Sequence, residues 1–128
     1  MKKTFLKRKS KNPRKKLIDI ADRALQDWYR KEYPNEPCLV CGNKTDLRHH
    51  FIDKSRSNRL RYEPINLIPL CYKCHYKAHF GSENLIGAEI QVKKGKKWLE
   101  KIKQIEKEHI TLPPKVLEEI IRKYEPIL

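Results

Sequence analysis

Apolar residues fall at Leu17, Ala21, Ala24, Leu25 and Trp28, a spacing that lines one face of a helix over residues 17–33. Pro34 and Pro37 end that helix and lead into CLVCG at 38–42. Two short apolar stretches follow, LRHHFI at 47–52 and NLIPL at 66–70. They read as two short strands separated by a polar, basic loop, DKSRSNRLRYEP, at 53–64. From Tyr72 to Phe80 a helix is predicted, with Gly81 as its stop. Beyond residue 84 the chain is helical and charged. Trp98, Ile102 and Ile105 share a face of a helix running to about His109, and TLPPK at 111–115 breaks it. A last helix presents Val116, Leu117, Ile120, Ile121 and Tyr124. These stripes are packing faces. The pattern predicts an α+β fold: a small two-strand-and-helix core over 38–80, with an N-terminal helix before it and C-terminal helices over 84–128.

Composition changes the picture in two ways. With 38% hydrophobic and 36% charged residues among 128, the core must be small, and a structural metal would staple it. The formal charge of +14 calls for a polyanionic partner, nucleic acid before an anionic membrane. No apolar run approaches the ~20 residues of a membrane span, and no amphipathic helix carries an aromatic insertion face, so no membrane partner is expected. Residues 1–16 carry nine Lys or Arg and no acid, which predicts a flexible basic tail before a single domain over 17–128. That tail lacks the apolar segment of a signal peptide, so an intracellular, reducing setting is expected.

In such a setting four cysteines point to metal. Cys38 and Cys41 form one C-x-x-C, and Cys71 and Cys74 form another after 29 intervening residues. Together they supply the four thiolates of a tetrahedral structural zinc. CYKCH also matches the C-x-x-C-H pattern of covalent haem attachment, but that reading needs export and leaves Cys38 and Cys41 unexplained. Disulfides would need an oxidising compartment.

Histidines make a second cluster. His75 and His79 are four apart and share a helix face, whereas His49 and His50 are neighbours in a strand and point to opposite sides. One of that pair can join His75 and His79, and the other is left over to act as a base. Three imidazoles with open positions describe a catalytic metal site.

CLVCG, RHHFI and NLIPLCYKCHYKAH, in that order and spacing, resemble the HNH (ββα-metal, His-Me finger) endonucleases with a four-cysteine zinc. The resemblance covers residues 38–80 and implies a treble-clef-like, zinc-stapled ββα-metal core. It implies that His49, His75 and His79 hold a catalytic divalent ion, that His50 is the general base, and that Asn66 pins the loop between the strands and so orients His50. Cys38, Cys41, Cys71 and Cys74 would hold the structural zinc outside the reaction. DNA phosphodiester bonds would be nicked or cut on both strands, leaving 5′-phosphate and 3′-hydroxyl ends. The ion would be Mg²⁺, Mn²⁺, Ni²⁺ or Co²⁺, and an all-imidazole set favours the last three over Mg²⁺. No small-molecule cofactor is implied.

A narrower resemblance links the loop SRSNRLRYEPIN, followed by two C-terminal helices, to the NinG-type phage recombination nucleases, which act on branched DNA. Arg48, Lys54, Arg56, Arg59 and Arg61 flank the histidines and are the expected phosphate contacts, although any one of them alone would read as a solvated charge. Low or structure-dependent specificity and a steep salt dependence follow. A non-catalytic zinc module binding DNA or protein is the competing class; it would not need all of His49, His50, His75, His79 and Asn66. DNA is thus the expected partner, alongside a second copy through the C-terminal stripes or phage packaging and recombination proteins.

Overall fold

The computed structural model describes residues 12–81 and 83–125. The chain is α+β and mostly helical, with one two-stranded antiparallel sheet. By compactness the described residues divide into two units, residues 12–28 with 111–125, and those between 29 and 110.

In the first unit, helix α1 (Pro13–Glu32) begins earlier than the apolar pattern suggests and continues into the second unit. Asn12 explains the early start: its side-chain oxygen accepts the Lys15 amide at 3.1 Å, and Pro13 supplies a preset φ at the first helical position. The expected tail therefore loses residues 13–16 to the helix, and residues 1–11 lie outside the described residues. Ala21, Ala24 and Leu25 are buried, as are Leu117 and Tyr124 on the last helix, α6 (Pro114–Tyr124). Trp28 meets Tyr124 edge-on, with ring centroids 5.3 Å apart.

The second unit carries the candidate chemistry. Strand β1 (Arg48–His50) pairs antiparallel with β2 (Leu67–Pro69), placing His49 opposite Ile68 and His50 opposite Leu67. The intervening segment, expected as a loop, contains helix α2 (Asn58–Arg61) and a 3₁₀ turn (Pro64–Asn66). Ser57 caps α2 by accepting the Leu60 amide at 3.0 Å, and Leu60 is buried. After β2 comes α3 (Tyr72–Phe80), with the ends the pattern predicted. Its N-cap is Cys71, whose sulfur accepts the Cys74 amide at 3.4 Å.

Next, α4 (Glu83–Lys94) and α5 (Lys96–Glu106) are separated by Gly95, whose φ of +94° suits glycine at the break. Ile86 and Ile90 of α4 join Ile68, Leu70 and three of the cysteines in one apolar cluster. Ile102 of α5 packs with Ile52 and Leu60 in another. Trp98 bridges them, meeting Phe51 at 4.9 Å between centroids and donating its indole N–H to the Ile65 carbonyl at 3.0 Å.

Candidate metal centres

Two turns bring the four thiols together. The first is closed by the Gly42 amide donating to the Cys38 carbonyl at 2.9 Å, and Gly42 adopts a φ of +81° that residues with a side chain rarely take. That geometry aims the Cys41 amide at the Cys38 sulfur, 3.5 Å away. The Leu39 amide donates to the Pro69 carbonyl at 2.8 Å, tying this turn to β2. The second turn is the start of α3.

The four sulfurs lie within 4.8 Å of one another, with Cys41 and Cys71 at 3.5 Å. A tetrahedral zinc with ~2.3 Å bonds holds its sulfurs about 3.8 Å apart, so the set fits that ion. Cys38 and Cys74 are buried and Cys41 is exposed. Burial alone would push the Cys38 thiol up. Backbone amides of Cys41, Cys71 and Val40 outweigh it and draw the group down to about 6, toward the thiolate that a metal requires. Lys93 of α4 donates to the carbonyls of Leu39 and Val40 at 2.9 and 3.0 Å. This cationic clamp on the turn left no local signal in the sequence.

On β1, His49 meets His75 and His79 of α3. Ring centroids are 5.3, 5.2 and 4.6 Å apart around the triangle, and one nitrogen from each ring lies within 4.8 Å of the other two. The Nε2 atoms of His75 and His79 are 3.1 Å apart. Two nitrogens on a common ion at ~2.1 Å would be separated by about 3.0–3.4 Å, so this donor set also fits a single metal. Burial first, then the neighbouring His75, His79 and His50, press His49 down to about 4. Burial and then His79 lower His75 as well. Neutral imidazole is the ligand form.

His50, one residue along, is directed away from that triangle, and its Nε2 is 3.0 Å from the Arg61 carbonyl. Asn66 is fully buried. Its Oδ1 accepts the Ile52 amide at 2.8 Å, and its Nδ2 donates to the carbonyls of Ile52 and Leu60 at 3.0 and 3.2 Å. The Asn66 carbonyl also accepts the Phe51 amide at 2.9 Å. One side chain thus joins the exit of β1 to α2. Asp53, which the motif reading passed over, accepts the Ser55 amide and hydroxyl at 2.9 and 2.8 Å. These bonds lower its carboxyl, with a further contribution from His50 and His79.

The five basic residues divide. Arg48 is 6% exposed and does not lie on the surface expected to meet phosphate. Its guanidinium donates to the carbonyls of Leu47 and Tyr33 at 3.0 and 3.1 Å, lies 3.5 Å from Glu36 and sits over the Tyr29 ring. At this strand end the arginine is held inward by main-chain carbonyls, a carboxylate and an aromatic face. Arg56 pairs with Glu106 at 3.2 Å, and Arg59 pairs with Glu63 and, at 3.3 Å, with Glu108. Lys54 is exposed with no ion pair among the described residues, and Arg61 is half-buried beside Tyr62.

A small α+β chain with a four-thiol cluster and a separate three-imidazole cluster is the class these centres define. Residues 2–126 match the family model for the bacteriophage lambda NinG protein. The chain belongs to that family. Comparisons with curated proteins and with solved structures gave no match. Among the described residues no helix is long and apolar enough to cross a membrane.

Proposed function

We propose that the chain is a divalent-metal-dependent endonuclease that hydrolyses DNA phosphodiester bonds in phage recombination. The carrying observation is the convergence of His49, His75 and His79 with His50 on the adjacent strand position. In this reading Cys38, Cys41, Cys71 and Cys74 hold a structural zinc, while His49, His75 and His79 hold the second ion in a ββα-metal arrangement. That ion, when bound, supplies Lewis-acid stabilisation of charge on the phosphate and the leaving oxygen.

The remaining chemistry falls to side chains. A carbonyl only accepts, so the neutral His50 ring carries its proton on Nε2 against Arg61 and its lone pair on Nδ1. Nδ1 takes a proton from water as the water oxygen forms a bond to phosphorus. The P–O3′ bond breaks, the 3′ oxygen is protonated from solvent, and the ends are 5′-phosphate and 3′-hydroxyl. Asn66 acts through His50 as a positioning residue. Lys54 is the basic side chain best disposed for phosphate, with Arg56 and Arg59 sharing their charge with glutamates.

The test is cleavage of supercoiled plasmid with Mn²⁺, comparing the wild type with His50→Ala at matched zinc content. Nicking by the wild type alone supports both the activity and its base. Because family membership favours a recombination role, branched substrates are the next assay if plasmid is bound but uncut. Binding without cleavage of either would favour a zinc-stapled binding module.

A further inference from the structure

Helix α3 carries a feature that neither metal centre uses. Tyr72, Tyr76 and Phe80 are 77%, 57% and 75% exposed, unusual for three large rings on one short helix. Their four-residue spacing puts them in one row, rising about 6 Å from each ring to the next. Tyr76 and Phe80 already touch, with centroids 5.0 Å apart, and Phe80 lies 6.1 Å from the His79 ring. The row therefore runs beside the imidazole cluster. At its other end Tyr72 borders an open cleft of about 550 Å³ whose walls include Asn35, Lys44 and Asp46.

We propose that this aromatic row is a stacking ledge for unpaired nucleobases next to the phosphate held at the histidine centre. The proposal rests on the nucleic-acid reading above and adds the residues that would select unpaired strands over duplex. Charge supports this occupant. Lys73 and Lys77, both exposed, each follow a tyrosine of the row by one residue and so flank it, and no acidic residue occurs on α3. A row built for an apolar protein partner would gain nothing from those lysines, whereas a backbone of phosphates with splayed bases needs both ring faces and cations. All three positions are aromatic with none aliphatic, which also fits bases, since a planar π-face is what a base stacks upon. The cleft at Tyr72 offers amide, carboxylate and ammonium groups of the kind that bond a base edge.

The experiment uses the full zinc-loaded chain without any other divalent ion, so it requires no cleavage and is independent of His50. Fluorescence anisotropy compares a short single strand with a blunt duplex of the same sequence, for the wild type and for Tyr72→Ala/Tyr76→Ala/Phe80→Ala. The expected result is a single-strand-to-duplex affinity ratio that falls at least about tenfold in the triple variant. The ratio should return when the two tyrosines are replaced by Phe and Phe80 is kept. In the wild type, a strand carrying 5-iodouracil should photo-crosslink within the peptide containing residues 72–80. An unchanged ratio, crosslinks only elsewhere, or no single-strand binding by the wild type would overturn the proposal. So would a triple variant that keeps the ratio but converts a dimer to a monomer in sedimentation, which would assign the ledge to a second copy.

Discussion

The Nε2 of His50 is held 3.0 Å from the carbonyl oxygen of Arg61, a residue eleven positions further along the chain. Arg61 ends α2, and the preceding Leu60 carbonyl is held by Asn66, which also grips Ile52 just after β1. The segments that carry His50 and that carbonyl are thus joined through one buried amide.

Replacing that amide should affect both stability and chemistry. Asn66→Ala takes the partner from the Ile52 amide and the Ile52 carbonyl, while the Leu60 carbonyl still accepts the Glu63 amide at 3.2 Å; the cost is about 1–3 kcal/mol for each group left dry. We expect a net loss of about 2–4 kcal/mol in urea unfolding of the zinc-loaded protein. In whatever fraction stays folded, kcat should fall with little change in KM, and the pH–rate profile should lose its histidine limb. A KM effect alone would make Asn66 a purely structural residue.

Arg48 and Lys54 should behave as opposites despite lying six residues apart in one basic region. Arg48→Ala removes a buried cation that faces Glu36 and should destabilise the unit by about 3–5 kcal/mol. Its effect on the salt dependence of DNA binding should be nil. Lys54→Ala should leave the unfolding midpoint in place and reduce the slope of log K against log salt by about 1. If Arg48→Ala instead flattens that slope without destabilising, the side chain turns outward in solution.

The contrast explains how far the chemistry was readable in the sequence. The grouping of the four thiols and of the three imidazoles was legible because its pieces are local: two C-x-x-C turns, one i, i+4 histidine pair, and one strand whose alternation sends His49 and His50 apart. The ends of α3 were legible for the same reason, with Gly81 as its stop. Arg48 was not, because its burial depends on Tyr29, Tyr33 and Glu36, which reach it only in the folded chain. The 53–64 segment read as a loop because α2 is a single turn; its Ser57 cap is a weak signal without an apolar period behind it. The Asn-Pro that starts α1 carried a local signal, hidden by the surrounding lysines.

The depressed His49 group predicts acid sensitivity when the histidine cluster holds no ion. Its ordinary value is 6.5, and the folded chain holds it near 4 through burial and the three neighbouring imidazoles. Between those values the unfolded chain binds a proton that the folded chain refuses, so stability rises with pH across that window and is lost as pH falls through it. Going from pH 7 to pH 5 should cost about 1–2 kcal/mol from this ring, allowing for partial screening. His49→Asn should remove that part of the slope in urea unfolding with only the structural zinc bound. An identical slope in the variant would place the acid sensitivity elsewhere.

Metal loading should separate the two centres. The thiolate cluster should keep zinc through mild chelation and lose it together with the fold, so Cys71→Ser should yield a chain with little zinc and no cooperative unfolding. His75→Ala should keep that zinc and bind one ion fewer in a titration with Co²⁺, whose d–d absorption distinguishes thiolate from imidazole ligation. Imidazole donors favour Ni²⁺, Co²⁺ and Mn²⁺ over the harder Mg²⁺. A nicking series in the wild type should therefore rank those three above Mg²⁺, and His75→Ala should lose cleavage with all of them. A wild type that cuts with Mg²⁺ alone would mean that carboxylate or phosphate oxygens, rather than the three rings, dominate the ion's surroundings, and Asp53 would then be the first residue to replace.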